Sequence, residues 1–148
     1  VGYSCAALVG FILIIIGKGR AVQMPVWDPP GWAYQVTQIT MLLALILLPA
    51  AYLPTNLKRF MRHPFLTGLA LWALSHLLVN GDLASIVLFG GFGIFALFDI
   101  WSSNRRGAEE TDRKFPLYRD IVLVAVGVIV YGIILHLHPW LFGVSAVP

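Results

Sequence analysis

Charged residues are scarce in this chain. Only 11% of the residues are Asp, Glu, Lys or Arg, whereas 59% are hydrophobic and the mean hydropathy is +0.83. A typical soluble domain carries about 25% charged residues. A soluble core of 148 residues cannot bury this much apolar surface. The shortage of charge therefore excludes a soluble globular domain and makes lipid the expected solvent.

Cysteine is nearly absent as well, since Cys5 is the one cysteine in the chain. A lone cysteine excludes an intrachain disulfide and a metal cluster held by thiolates. Because Cys5 lies in an apolar run, we expect its side chain to be a small buried hydrophobe. The chain also lacks an initiator Met and the charged start and cleavage site of a signal peptide, so we expect natural sequence to precede residue 1.

Long apolar runs are abundant, and a run of roughly 20 residues crosses a membrane as a helix. We predict an all-α fold, a polytopic transmembrane helical bundle in which residues 1–148 form a single membrane domain whose N-terminal part is missing. Pro49 predicts a kink near the end of the second span. The five predicted spans are Tyr3–Gly17, Tyr34–Leu53, Pro64–Val79, Leu83–Trp101 and Asp120–Leu137.

The basic residues orient these spans. The loops after the second and fourth spans carry eight of the ten Lys and Arg residues, and they share one side of the membrane because two spans separate them. The opposite side holds only Lys18 and Arg20. The positive-inside rule places the basic side in the cytoplasm, where Ser102–Lys114 forms a solvated loop. This topology accounts for the net charge of +3, so we expect no binding to nucleic acid.

Ionisable residues inside membrane spans are costly, and each is therefore a functional candidate. His76 lies in the third span, and His136 and His138 lie at the end of the fifth. The predicted orientation places all three toward the outer leaflet, so His76 and either of the other two match in depth. His63 lies at the opposite end of the third span, about 20 Å from His76 if that helix is continuous.

Histidine in a helical bundle suits haem, because a neutral imidazole binds iron axially and the helices supply a dry slot. Ser75 or a neighbouring carbonyl could hold the second ring nitrogen of His76. Gly90, Gly91 and Gly93 would let a flat ring or another helix approach the fourth span closely. The alternative for each histidine is a hydrogen-bonded packing residue, and the alternative for the glycines is ordinary helix packing.

The turn after His76 has two interpretations. Asn80-Gly81 is a strong turn signal, and Asp82 is suited to cap the next helix. A rigid turn at this place would equally serve a haem pocket just beyond His76.

The run RHPFLTGLALWALSHLLVNGDLASIVLFGG resembles the signature of the NnrU family of bacterial membrane proteins. The stretches VWDPPGW and HPWLFGV resemble other segments of that family, so the similarity covers nearly the whole chain. The resemblance implies a protein of the bacterial inner membrane. It also implies a link to denitrification and nitric oxide metabolism, with a nitric oxide or nitrite reductase system as partner.

NnrU proteins are in turn similar to the plant 15-cis-zeta-carotene isomerase, a membrane protein that holds haem b through histidines. That similarity implies haem b, with His76 as the iron ligand and Asn80 and Asp82 in its pocket. It also implies a haem-dependent cis-trans isomerase-like activity on a hydrophobic polyene. The isomerase's other ligand lies in a segment upstream of residue 1, so the second ligand here stays open between His136 and His138.

Two further classes stay open. The RHP at residues 62–64 and the C-terminal HP resemble motifs of small membrane methyltransferases and sterol reductases, which use them near a cytosolic nucleotide cofactor. Against this class, the cytoplasmic side beside Arg62 and His63 has no acidic cluster and no glycine-rich loop. The other class is a membrane assembly factor without a cofactor.

Overall fold

The protein is described by a computed structural model that covers residues 2–107 and 111–147. These residues form five α-helices, a short 3₁₀ helix and no strand beyond one isolated bridge between Pro25 and Asp82. The predicted all-α fold is therefore confirmed. The α-helices are α1 (Gly2–Arg20), α2 (Gly31–Ala50), α3 (Pro64–Val79), α4 (Leu83–Arg105) and α5 (Tyr118–Phe142), and the 3₁₀ helix spans Asn56–Arg59.

Several of these helices present apolar surface that the rest of the chain does not cover. Among the described residues, α2, α4 and α5 are long and apolar enough to cross a membrane, and α3 is a shorter apolar helix of 16 residues. Only 11% of the most apolar stretch of α5 is buried inside the chain. The chain is thus built for a membrane, and the count of five spans stays a prediction.

The predicted starts of α3 and α4 are correct because strong local signals set them. Pro64 occupies the first turn of α3, where its missing N–H has no helical partner to lose. Asp82 caps α4 by accepting a 3.0 Å hydrogen bond from the Ser85 amide.

The end of α3 at Val79 also agrees with the prediction, whereas the remaining boundaries differ from it. α2 begins three residues before Tyr34 and ends one residue after Pro49. α4 continues to Arg105, so the first part of the predicted loop Ser102–Lys114 is helical, while residues 108–110 lie outside the described residues. α5 runs through Pro139 to Phe142, because a proline near a helix end removes only one backbone hydrogen bond.

α2 lies at the centre of the bundle. It packs against α3 and α5, α4 packs against α3, and α1 touches α4 lightly. Gly68 brings α3 so close to α2 that a Cβ would stand 3.1 Å from the Ala44 carbonyl oxygen, and a Cβ on Gly127 of α5 would stand 2.8 Å from the Ile46 Cα. Small residues at helix contacts are usual in membranes. Since α1 packs so little, Cys5 is exposed, and the expectation that it is buried is wrong.

The loops after α2 and α4 meet at one end of the bundle, which we call the basic end (residues 51–63, 106–107 and 111–117). Thr55 Oγ1 and Asn56 Nδ2 donate to the two carboxylate oxygens of Asp120, each at 2.6 Å. The Phe115 amide donates to Asn56 Oδ1 at 2.9 Å. The prediction that the two basic loops share one side is confirmed.

The opposite end, which we call the turn end, comprises residues 21–30, 80–82 and 143–147. Here the Leu83 amide donates to the Met24 carbonyl at 2.9 Å, and the Val26 amide donates to the Gly81 carbonyl at 2.8 Å. The segment between α1 and α2 is therefore pinned against the turn between α3 and α4.

Candidate cofactor site

His76 lies in the last turn of α3 with its two ring nitrogens in different surroundings. Nδ1 is 2.9 Å from the Trp72 carbonyl oxygen. A carbonyl only accepts, so Nδ1 donates, and Nε2 of the neutral ring carries a free lone pair. Among the described residues, Arg59 Nε is the one fully buried side-chain nitrogen or oxygen without a hydrogen-bond partner. His76 Nε2 also has no such partner, so it cannot be fully buried. This is the tautomer that binds a metal through Nε2.

Aromatic rings surround the His76 imidazole. Phe89 of α4 stacks on it, with ring centroids 4.4 Å apart and an interplanar angle of 25°. Trp72, one turn earlier on α3, lies 4.8 Å from the His76 ring and meets Phe89 and Phe92 edge to face. These rings form an apolar wall that orients the imidazole and keeps water from its face.

His138 of α5 has the same arrangement as His76. Its Nδ1 donates to the Val144 carbonyl oxygen at 2.8 Å, and Nε2 is again left with the lone pair. His138 and His76 both lie near the C-terminal ends of their helices, α5 and α3, at the turn end of the bundle. The expectation that His76 matches one of the two α5 histidines in depth stays a prediction.

His136 does not join this pair. It lies two residues from His138, which is about 200° around an α-helix, and its side chain is exposed. His63 is also separate, because α3 is continuous and places it about 20 Å from His76. At the basic end, His63 Nε2 lies 2.9 Å from Asn104 Oδ1.

Asn80 and Gly81 shape the end of α3 without touching the His76 ring. The backbone amide and the Nδ2 of Asn80 both donate to the His76 carbonyl oxygen, at 2.9 and 2.8 Å. They satisfy a carbonyl that the helix end leaves without a partner. The Gly81 carbonyl accepts from the amides of Val26 and Trp27. Both residues are thus structural supports behind the imidazole.

Asp82 joins three elements at the turn end. Its carboxylate accepts from the Ser85 amide at 3.0 Å and the Ser85 hydroxyl at 2.5 Å, and it pairs with Lys18 Nζ of α1 at 3.0 Å. Burial alone raises the pKa of this carboxyl, but the hydrogen bonds from Ser85 and Lys18 outweigh it and lower the pKa to about 2. Asp82 is therefore an ionised cap whose charge Lys18 balances.

Ser75 supports α3 and makes no contact with the ring of His76. Its hydroxyl donates to the Leu71 carbonyl at 2.7 Å and lies 2.6 Å from Thr40 Oγ1, and its carbonyl accepts from Thr37 Oγ1 at 3.1 Å. Of the two partners expected for the second nitrogen of His76, the carbonyl is the correct one. The three hydroxyls hold α2 and α3 together beside the site.

A second polar group links α2, α5 and the C-terminal tail. Gln38 Nε2 donates to the Ala146 carbonyl at 2.7 Å, and Gln38 Oε1 accepts from the Tyr131 hydroxyl. The sequence prediction missed these residues, although an amide within an apolar span is itself a signal of function or of a buried contact.

The three glycines of α4 have different surroundings. A Cβ on Gly93 would stand 3.5 Å from the Ala73 Cβ, so Gly93 packs α4 on α3. Gly90 and Gly91 face open space, and Gly91 lines a lipid-facing groove of about 830 Å³ between α1 and α4. Of these three glycines, only Gly93 is therefore explained by the packing of one helix on another.

The fold and the site define an all-helical protein with membrane-length apolar helices and a pair of histidines near one end of the bundle. No group of three or more His, Cys, Asp or Glu side chains that could hold a metal ion occurs in residues 2–107 and 111–147. The family model of the NnrU protein matches residues 1–146, and the chain belongs to the NnrU family. No curated protein and no solved structure matches the chain significantly.

Proposed function

We propose that this NnrU-family protein binds haem b in the bacterial inner membrane, with His76 and His138 as the residues that would hold the iron. One observation carries the proposal. Both imidazoles lie near the turn end of the bundle, and each has Nδ1 hydrogen-bonded to a backbone carbonyl and Nε2 left with its lone pair. Metal-binding histidines almost always have their second nitrogen held by such an acceptor.

The donor set fits haem. Two neutral imidazoles could hold the iron, and the macrocycle would supply its other nitrogen ligands, so no third protein ligand would be needed. Trp72 and Phe89 give the site apolar walls, and Asn80 fixes the end of α3 behind His76. Bound there, haem b would supply a redox-active iron in a largely dry environment.

Ligation by both histidines favours an accessory or electron-transfer role. An iron held by both histidines would exchange electrons rather than bind an external ligand. We therefore place the protein beside a nitric oxide or nitrite reductase system, as the family resemblance implies.

One feature favours a second function, a zeta-carotene-isomerase-like activity on a hydrophobic polyene. The groove between α1 and α4 faces the lipid and is lined almost entirely by apolar side chains. Phe92 lines the groove and also packs against Trp72, which contacts His76. A long apolar molecule in this groove would be separated from the His76 ring only by Phe92 and Trp72. This activity would require one histidine to leave the iron.

Spectroscopy of the full-length protein, purified in detergent from haem-replete cells, tests the proposal. We expect stoichiometric haem b with the absorbance and electron paramagnetic resonance of a low-spin, six-coordinate iron. Carbon monoxide should not bind the reduced protein, and rapid binding would favour the isomerase-like form. Protein without a Soret band would contradict haem binding and leave a membrane assembly factor without a cofactor.

A further inference from the structure

The C-terminal tail, residues 143–147, folds back onto the bundle and carries the carbonyl that orients His138. Gly143 ends α5 in the left-handed region, with a φ of 74°, and its amide donates to the Pro139 carbonyl at 2.9 Å. The next residue, Val144, accepts from His138 Nδ1. The orientation of His138 therefore depends on where this tail lies.

Gln38 of α2 fixes the other end of that tail. Its Nε2 donates to the Ala146 carbonyl at 2.7 Å, and Ala146 is the one residue of 143–147 that is not exposed. Val144 thus lies between two anchors, the turn at Gly143 and the hydrogen bond from Gln38.

A side-chain amide suits this position because it donates and accepts at once. Gln38 donates to Ala146 while its Oε1 accepts from the Tyr131 hydroxyl of α5. An unpaired amide in an apolar environment costs free energy, so both bonds tend to stay closed. A chain terminus without such a tie tends to fray.

We propose that Gln38 is the positioning residue of His138, acting through Ala146 and the tail rather than by contact with the imidazole. This inference rests on the proposed function, in which His138 is an axial ligand. Release of Ala146 frees the Val144 carbonyl, and His138 then loses the acceptor that fixes both its tautomer and its ring orientation.

The matched pair Gln38→Leu and Gln35→Leu tests the inference. Both glutamines lie on α2, but Gln35 is exposed and lies one turn earlier. Loss of a partner behind a metal ligand typically lowers metal affinity about 10- to 100-fold. We expect haem transfer to a competing apoprotein to speed up about tenfold in Gln38→Leu, with high-spin iron appearing. Gln35→Leu should behave as wild type.

A double variant separates positioning from general destabilisation. His138→Ala should still bind haem weakly through His76, so its haem affinity and spin state can be measured. If Gln38 acts through His138, Gln38→Leu adds no further change to either. Additive losses, or a Gln38→Leu spectrum identical to wild type, would overturn the inference while leaving haem binding intact. Unchanged haem content in His76→Ala and His138→Ala would instead overturn the proposed function.

Discussion

Gly81 lies directly against the backbone of Trp27. A Cβ built on Gly81 would overlap the Trp27 carbonyl oxygen and stand 2.8 Å from its carbonyl carbon. The amides of Val26 and Trp27 both donate to the Gly81 carbonyl, so the two segments approach backbone to backbone. The Asn-Gly-Asp turn after His76 is therefore shaped by this contact as much as by the chemistry of a turn.

We expect Gly81→Ala to destabilise the protein by about 3 kcal/mol, because backbone atoms cannot move aside as a flexible side chain can. Thermal unfolding in detergent measures the loss. Gly90→Ala is the matched control, since a Cβ there meets nothing within 4 Å and Ala is favoured over Gly inside a helix. Equal stability of the two variants would show that the Trp27 backbone can make room for a Cβ at position 81.

Asp82 should make stability depend on pH in the acid range. Its folded-state pKa of about 2 lies below the ordinary value of 3.8. Its contribution is therefore fully present above about pH 4 and is lost as the pH falls through 2. Unfolding of wild type and Asp82→Asn at pH 7 and pH 2 measures the difference, which should shrink at the lower pH.

The same variant separates a structural role of Asp82 from a chemical one. Asn keeps an oxygen to cap α4 but loses the ion pair with Lys18, which contributes about 1 kcal/mol. We expect haem to be retained in Asp82→Asn, since the carboxylate faces Lys18 and Ser85 rather than the histidines. Haem loss at full stability would assign Asp82 to the cofactor site.

The predicted orientation places the basic end in the cytoplasm and the turn end outside. With the exposed Cys5 changed to Ser, single cysteines at Thr111 and Val147 report the two ends. A membrane-impermeant maleimide should label Val147→Cys in intact cells and Thr111→Cys only after permeabilisation. The reverse pattern would invert the topology.

The sequence predicted the elements well where one residue sets a boundary. Pro64 and Asp82 fix the starts of α3 and α4, and both were placed correctly. Polar residues that follow an apolar span can form either helix or loop. The prediction therefore did not extend α4 to Arg105. The helix period separates His136 from His138, but only the packing of α5 determines that His136 is exposed and His138 partly covered.

The sequence also did not predict the contacts between residues far apart in the chain. The bonds of Gln38 join α2 to α5 and to the tail, 93 and 108 residues away in sequence. No local spacing encodes such a pairing. The polar character of Gln38 and Tyr131 within apolar spans was the available signal, and it marks a position without naming the partner.

Haem content measured in matched histidine variants tests most directly whether His76 is an iron ligand. His76→Ala in the full-length protein should insert into the membrane normally, because Ala favours the helix, and should lose its haem. His63→Ala, changed about 20 Å away at the basic end, and the exposed His136→Ala should keep theirs. Normal haem content in His76→Ala would contradict the account and leave His76 as a packing residue between Trp72 and Phe89.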